Sequence, residues 1–153
     1  MSEFKGRLES AESALRFALA GKATLTLQSV KSGTRFTYRL NRKESDDDSK
    51  PPIVFVSLLS GADNESDYQY LGHIFLDGRD LYQVGRKSRV GAEASSQVAF
   101  KWTWEQLRHR GKLPESLEIW HEGRCGRCNR TLTVPESVAS GFGPECVTRI
   151  GVW

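Results

Sequence analysis

The apolar residues of the chain run first in a helical rhythm and then in a strand-like one. Leu8, Ala11, Leu15, Ala18 and Leu19 recur at spacings of three and four, and Gly21 follows. This predicts an amphipathic helix over 8–20 stopped by a glycine. Ala23, Leu25 and Leu27 then alternate with Thr24, Thr26 and Gln28, the period of a strand with one buried face. After a turn containing Gly33, Phe36, Tyr38 and Leu40 alternate with Arg35, Thr37 and Arg39, so a second strand returns as a hairpin. Phe36 and Tyr38 share the face of Leu40 and are assigned to the core; the other face is rich in arginine.

The stretch 44–52 is acidic and polar and ends in two prolines, which marks a mobile loop. Ile53–Leu59 is an apolar run with Ser57 within it, the pattern of a central strand covered on both faces. Residues 68–76 and 80–84 form another strand pair around Asp77-Gly78. Ser95 or Ser96 can cap a second helix running to about Arg110, with Phe100, Trp104 and Leu107 on one stripe, Val98 and Trp102 on the next, and Gly111 at the end. Residues 117–120 make a short strand leading into a cysteine-containing tail. The fold class expected is α+β: a largely antiparallel sheet with one or two packed helices over 1–120, and a small C-terminal module over 121–153 packed on it.

Composition narrows the class. With 153 residues, 38% hydrophobic and 27% charged, the chain is an ordinary globular domain rather than a disordered one. No apolar run approaches the roughly 20 residues of a bilayer span. The opening MSEFKGRLES has no secretory signal pattern, so a cytoplasmic location without membrane attachment is expected. The net charge of +3 is unevenly spread: residues 1–43 carry +6, 44–82 carry −7 and 83–153 carry +4. Opposed basic and acidic faces could steer a polyanion, or could pair off within the fold.

Three cysteines are too few for a disulfide framework, and in a reducing compartment their spacing reads as metal chemistry. Cys125 and Cys128 are separated by two residues, Cys146 follows Gly143-Pro144, and His121 lies four residues before Cys125, giving H-x3-C-x2-C-x17-C. A C-x2-C turn can wrap its amides around one Zn²⁺, which takes thiolates tetrahedrally. Proline favours the first turn of a helix, where the dipole favours a thiolate at Cys146. Knuckle, short hairpin and helix-borne ligand describe a treble-clef-like arrangement around a structural zinc. Structural zinc wants four ligands; His121 is the nearest candidate for the fourth, with Glu122, Glu145, His109 and water as others. A redox pair at Cys125 and Cys128 would leave Cys146 without a role.

The run Cys125-Gly-Arg-Cys128-Asn-Arg-Thr-Leu-Thr, then Pro135-Glu-Ser137, then Gly141-Phe-Gly143-Pro144-Glu-Cys146 resembles the DUF6011 family over about residues 121–150. The resemblance implies an origin in phages, prophages or plasmids. It implies no activity and brings no catalytic residue across.

Three basic clusters suit phosphate contact: Arg86, Lys87 and Arg89 between Gly85 and Gly91; Arg35 and Arg39 on the hairpin; and Arg127 with Arg124 and Arg130 at the knuckle. Such clusters are also common as plain solvated surface. His73 and His109 read as structural, the acidic triplet Asp63, Glu65, Asp67 fails the EF-hand pattern, and no nucleophile, zinc-protease or phosphate-loop motif occurs. The expectation is a non-enzymatic, zinc-stapled binding protein of mobile-element origin that contacts nucleic acid or a nucleic-acid-processing complex. The alternative is an antidefence inhibitor that blocks a host complex by protein contact, its acidic loops imitating DNA.

Overall fold

The computed structural model describes residues 6–60 and 67–121 and, singly, Cys125, Arg127 and Phe142. Seven strands form one sheet: β1 (Arg7–Leu8), β2 (Lys22–Ser29), β3 (Arg35–Lys43), β4 (Ile53–Leu59), β5 (Tyr68–Phe75), β6 (Tyr82–Val84) and β7 (Leu117–His121). Their order is β1-β7-β2-β3-β4-β5-β6, and every neighbouring pair is antiparallel. Strands β2 to β6 are a meander. The chain then crosses the sheet through α2 (Ser95–Trp104) and a π-helical turn (Glu105–His109), and inserts β7 between β1 and β2. This is the antiparallel α+β fold expected.

Both helices lie on one face. Directly opposed residues of an antiparallel pair share a side, so the register places Leu25, Leu27, Tyr38, Leu40, Val54, Val56, Ile74 and Ile119 together. All are buried, with Ala14, Phe17 and Ala18 of α1 (Ala11–Ala18) and Phe100, Trp104 and Leu107 of the second helical segment.

Three local expectations are corrected. The first helix begins at Ala11, because Ser10 and Ser13 form a reciprocal capping box there. Leu8 is instead a strand residue opposite Ile119, so its burial comes from the sheet. The second helix is capped by Ala94 without a side-chain bond; Ser95 is already helical, and the carbonyl of Ser96 accepts from the Tyr38 hydroxyl at 2.7 Å. Strand β4 is interior, and among the described residues the helices cover one of its sides: Val54 and Val56 are fully buried, while Ile53, Phe55 and Ser57 face away from the helices and are half-buried. Trp104 is buried and its indole N–H reaches the carbonyl of Asp80 at 2.7 Å, whereas Trp102 stays exposed with Val98.

Gln97 joins the second helix to three other segments. It is 1% exposed. Its carbonyl accepts from the Tyr82 hydroxyl at 2.5 Å, and its amide donates to the carbonyls of Leu71 at 3.1 Å and Val90 at 3.2 Å. Burial pushes the phenols of both Tyr38 and Tyr82 well above their ordinary pKa, which keeps them protonated as donors. Gln97→Leu would strand these buried groups, each costing about 1–3 kcal/mol. Urea denaturation should therefore show a loss of about 3 kcal/mol; a loss under about 0.5 kcal/mol would mean that the network carries no stability.

Candidate functional site

The sheet face opposite the two described helices is set by the same alternation that builds the core. Strand β3 directs Arg35, Thr37, Arg39 and Asn41 to it, and β4 directs Phe55 and Ser57. In β5 the alternation is broken. Val56 lies opposite Gly72 and Ser57 opposite Tyr70, so Leu71 is an extra residue, a β-bulge. Leu71 is fully buried and Gly72 also packs inward, where a Cβ would overlap the Gln83 carbonyl and the Tyr82 ring. The bulge puts Tyr70 and His73, three apart, on the same side. Their hydroxyl and Nδ1 are hydrogen-bonded at 2.9 Å.

Strands β4 and β5 thus line the face with Phe55, Tyr68, Tyr70, His73 and Phe75, and β7 adds Trp120. The Arg39 guanidinium lies 3.9 Å from the centroid of the Tyr68 ring, a cation–π stack. Arg7 lies 5.9 Å over Trp120. Among the described strand positions of this face, Glu118 is the one acid, and it is paired with Arg7 at 3.7 Å.

The basic loop after β6 borders this face. Gly85 passes so close to Tyr70 that a Cβ would overlap the ring, and its N–H bonds the Leu71 carbonyl at 3.0 Å. Arg86 and Lys87 then edge an open hollow of about 600 Å³ whose walls include Phe55, Tyr70, His73 and Gln83. Arg86, Lys87 and Arg89 are exposed and form no ion pair among the described residues. Of the other predicted cations, Arg35 and Arg39 share the face, while the backbone of Arg127 packs on Gly21 at the start of β2, away from the hollow. The acidic loop 44–52 and the Asp77–Asp80 turn lie together at one end of the strands, since Lys43, Ile53 and Phe75 are in register, whereas the basic loop leaves the short β6 beside Leu71, near the middle of β5, and Asp67 lies at the other end. Asp63 and Glu65 are outside the described residues.

Phe55, Tyr70, Tyr68 and Phe75 were not singled out by sequence. The signal for β4 is present in Phe55 standing between Val54 and Val56, but consecutive apolar residues hide which side each takes. In β5 the bulge interrupts the period.

Of the predicted metal ligands, His121 and Cys125 are among the described residues. His121 ends β7 opposite Leu25 on the helix-covered face and is 2% exposed. Its ring stacks on Phe17 with centroids 5.4 Å apart, Phe142 lies 5.9 Å from Phe17, and Gly6 abuts the imidazole so closely that a Cβ would overlap Cε1, Nε2 and Cδ2. Cys125 is fully buried, and the amide of Arg127 points back at its sulfur at 3.4 Å. An amide two residues on can donate to a cysteine sulfur in a C-x2-C turn. Cys128 and Cys146 are outside the described residues, as are Arg124 and Arg130. The described residues contain no group of three or more metal-ligating side chains and no helix long and apolar enough to cross a membrane.

Gly6→Ala should displace His121 or strand β1, costing about 1–3 kcal/mol as overpacking does. Thermal unfolding together with the His121 imidazole resonances measures this. Unchanged values for both would show that the contact is easily relieved.

Residues 120–151 match the model of DUF6011, a family of unknown function, in agreement with the resemblance read from the cysteine motif. No curated protein and no solved structure matches the chain.

Proposed function

We propose that this protein is a zinc-stapled, non-enzymatic binding protein that contacts nucleic acid, or a complex that carries it, through the sheet face opposite its two described helices. The observation that carries the reading is the content of that face: aromatic rings from β4 and β5 beside Arg35 and Arg39, bordered by the exposed cations Arg86 and Lys87, with Glu118 as the one acid among its described strand positions. Cations neutralise phosphates and release counterions, and ring faces stack with bases. The acidic loop 44–52 lies beyond the Ile53 end of the strands, whereas the basic loop begins beside Leu71, so the two need not cancel. A mobile-element origin and a cytoplasmic location accompany this reading through the resemblance and the sequence pattern.

In this reading Cys125, Cys128, Cys146 and His121 hold one structural Zn²⁺. The donor set is three thiolates and an imidazole, a closed set with no position left for catalysis. The buried Cys125 with the Arg127 amide aimed at its sulfur supports the fit. Protein purified without chelator should contain one zinc per chain by elemental analysis. Cys125→Ser, Cys128→Ser and Cys146→Ser should each abolish it, because apparent zinc free energies in finger peptides are about 10–16 kcal/mol and depend on the full set. His121→Ala should weaken retention. Less than about 0.2 zinc per chain in the unaltered protein would exclude this part of the reading.

Nucleic-acid affinity should fall with salt at a log–log slope of about −0.7 to −0.9 per phosphate neutralised. Replacing Arg86, Lys87 and Arg89 by glutamine should reduce the slope by up to about three with little effect on stability, since exposed charges contribute little. The inhibitor alternative is favoured by one feature, the exposed Asp46, Asp47 and Asp48 on the 44–52 loop. It predicts the reverse: charge reversal there abolishes capture of a protein partner while the three cations are dispensable.

A further inference from the structure

The hollow beside the basic loop has a content that a duplex cannot use. Its walls include Phe55 and the hydrogen-bonded Tyr70–His73 pair, its edge carries Arg86 and Lys87, and Gln83 offers a side-chain amide. Phe55, Tyr70 and His73 are each half-buried, so part of every ring remains reachable. The ring centroids of Phe55 and Tyr70 are 6.4 Å apart and their planes are inclined by 58°. The two rings therefore form a cup, with its polar groups at the side and its cations at the mouth. Its volume of about 600 Å³ is within the range of about 300–1,000 Å³ typical of small-ligand pockets.

The bases of a duplex are stacked inward, and a protein surface meets its phosphates and groove edges. Only an unpaired base can present its face to an aromatic ring, and such stacking is tolerant of sequence. We infer that the site takes a single-stranded nucleic acid, with one unpaired base seated in the cup of Phe55, Tyr70 and His73, its edge within reach of Gln83, and the neighbouring phosphates on Arg86 and Lys87. The inference rests on the nucleic-acid reading above and specifies its substrate.

The position of the cup depends on the bulge. Without Leu71 as an extra residue, Tyr70 and His73 would lie on opposite sides of β5, and the cup would lose one wall. Gly85 matters for the same reason: it lets the cationic loop run directly against the Tyr70 ring, so that phosphate-binding and base-binding groups are adjacent.

The test is fluorescence anisotropy of the full chain with labelled 12-nucleotide single-stranded DNA, single-stranded RNA and a DNA duplex of the same length, across a salt series. The single strands should bind at least about tenfold more tightly than the duplex. Phe55→Ala should weaken single-strand binding by about 5- to 150-fold, the equivalent of about 1–3 kcal/mol per stacked base, with duplex binding and the salt slope unchanged. Phe55→Leu preserves the packing volume and removes the ring, so the same loss in that variant with an unaltered urea midpoint separates lost stacking from misfolding. A difference between the DNA and RNA strands would assign the sugar preferred and supports the inference either way. Equal or tighter duplex binding, indifferent to both Phe55 variants, would overturn the single-strand assignment and leave phosphate contact standing. Absence of salt-dependent binding to all three probes would overturn both.

Discussion

The side chain of Gln97 is the point on which the helix-covered half of the molecule depends. A buried amide must find partners for its own polar groups, and this one finds them in the Tyr82 hydroxyl and the Leu71 and Val90 carbonyls. Those three belong to β6, to the bulge in β5 and to the end of the basic loop. The second helix, the bulge and the loop are therefore positioned by a single residue. The Tyr38 hydroxyl, bonded to the Ser96 carbonyl next to it, ties the same helix to β3. The contacts of Tyr38 and Tyr82 with the ring of Phe100, at centroid distances of 5.1 and 4.8 Å, surround these bonds with apolar surface.

What is fixed on the helix side determines what the other side displays. An extra residue in β5 satisfies the packing of Leu71 against the helices, and its carbonyl takes two donors, Gly85 N–H and the Gln97 amide. The same insertion shifts the alternation of β5, so that Tyr70 and His73 emerge together on the far face. The candidate binding surface is in this sense a product of core packing. Exposed aromatic groups on a sheet face cost solubility unless they serve a contact, and cations stand beside the rings of this one, Arg39 on Tyr68 and Arg7 on Trp120.

The cysteine-bearing end is joined to the fold by β7. That strand is interior to the sheet, between β1 and β2, and His121 is its last residue. The imidazole packs on Phe17 of the first helix, which also meets Phe142. A ligand at His121 would be held by the core of the sheet rather than by the module alone. Under the zinc proposal, metal binding would thus be coupled to the packing of α1 and β1 as well as to the local turn at Cys125. The match to DUF6011 covers this end and not the upstream sheet.

Local pattern determined much of this protein. The period-two alternation of β2 and β3 and the Asp77-Gly78 turn are local consequences of side-chain burial and turn chemistry, and so is the buried stripe of Phe100, Trp104 and Leu107. All were legible in the chain, as was the cysteine spacing that matches the family. The tertiary structure decided the rest. Leu8 sits at helical spacing from its neighbours, yet a two-residue strand takes it because β7 offers an edge there and Ser10 caps the helix behind it. Ile53–Leu59 is apolar on both sides, and only the placement of both helices on one face decides that Val54 and Val56 are core while Phe55 is surface. Tyr70 and His73 are three apart, a spacing that puts residues on opposite sides of a regular strand; the bulge that reunites them exists because Leu71 must reach a helix that follows it by more than twenty residues. Alternation within a strand is a local property, whereas the side left uncovered and the place where the period breaks depend on which distant segments pack against it.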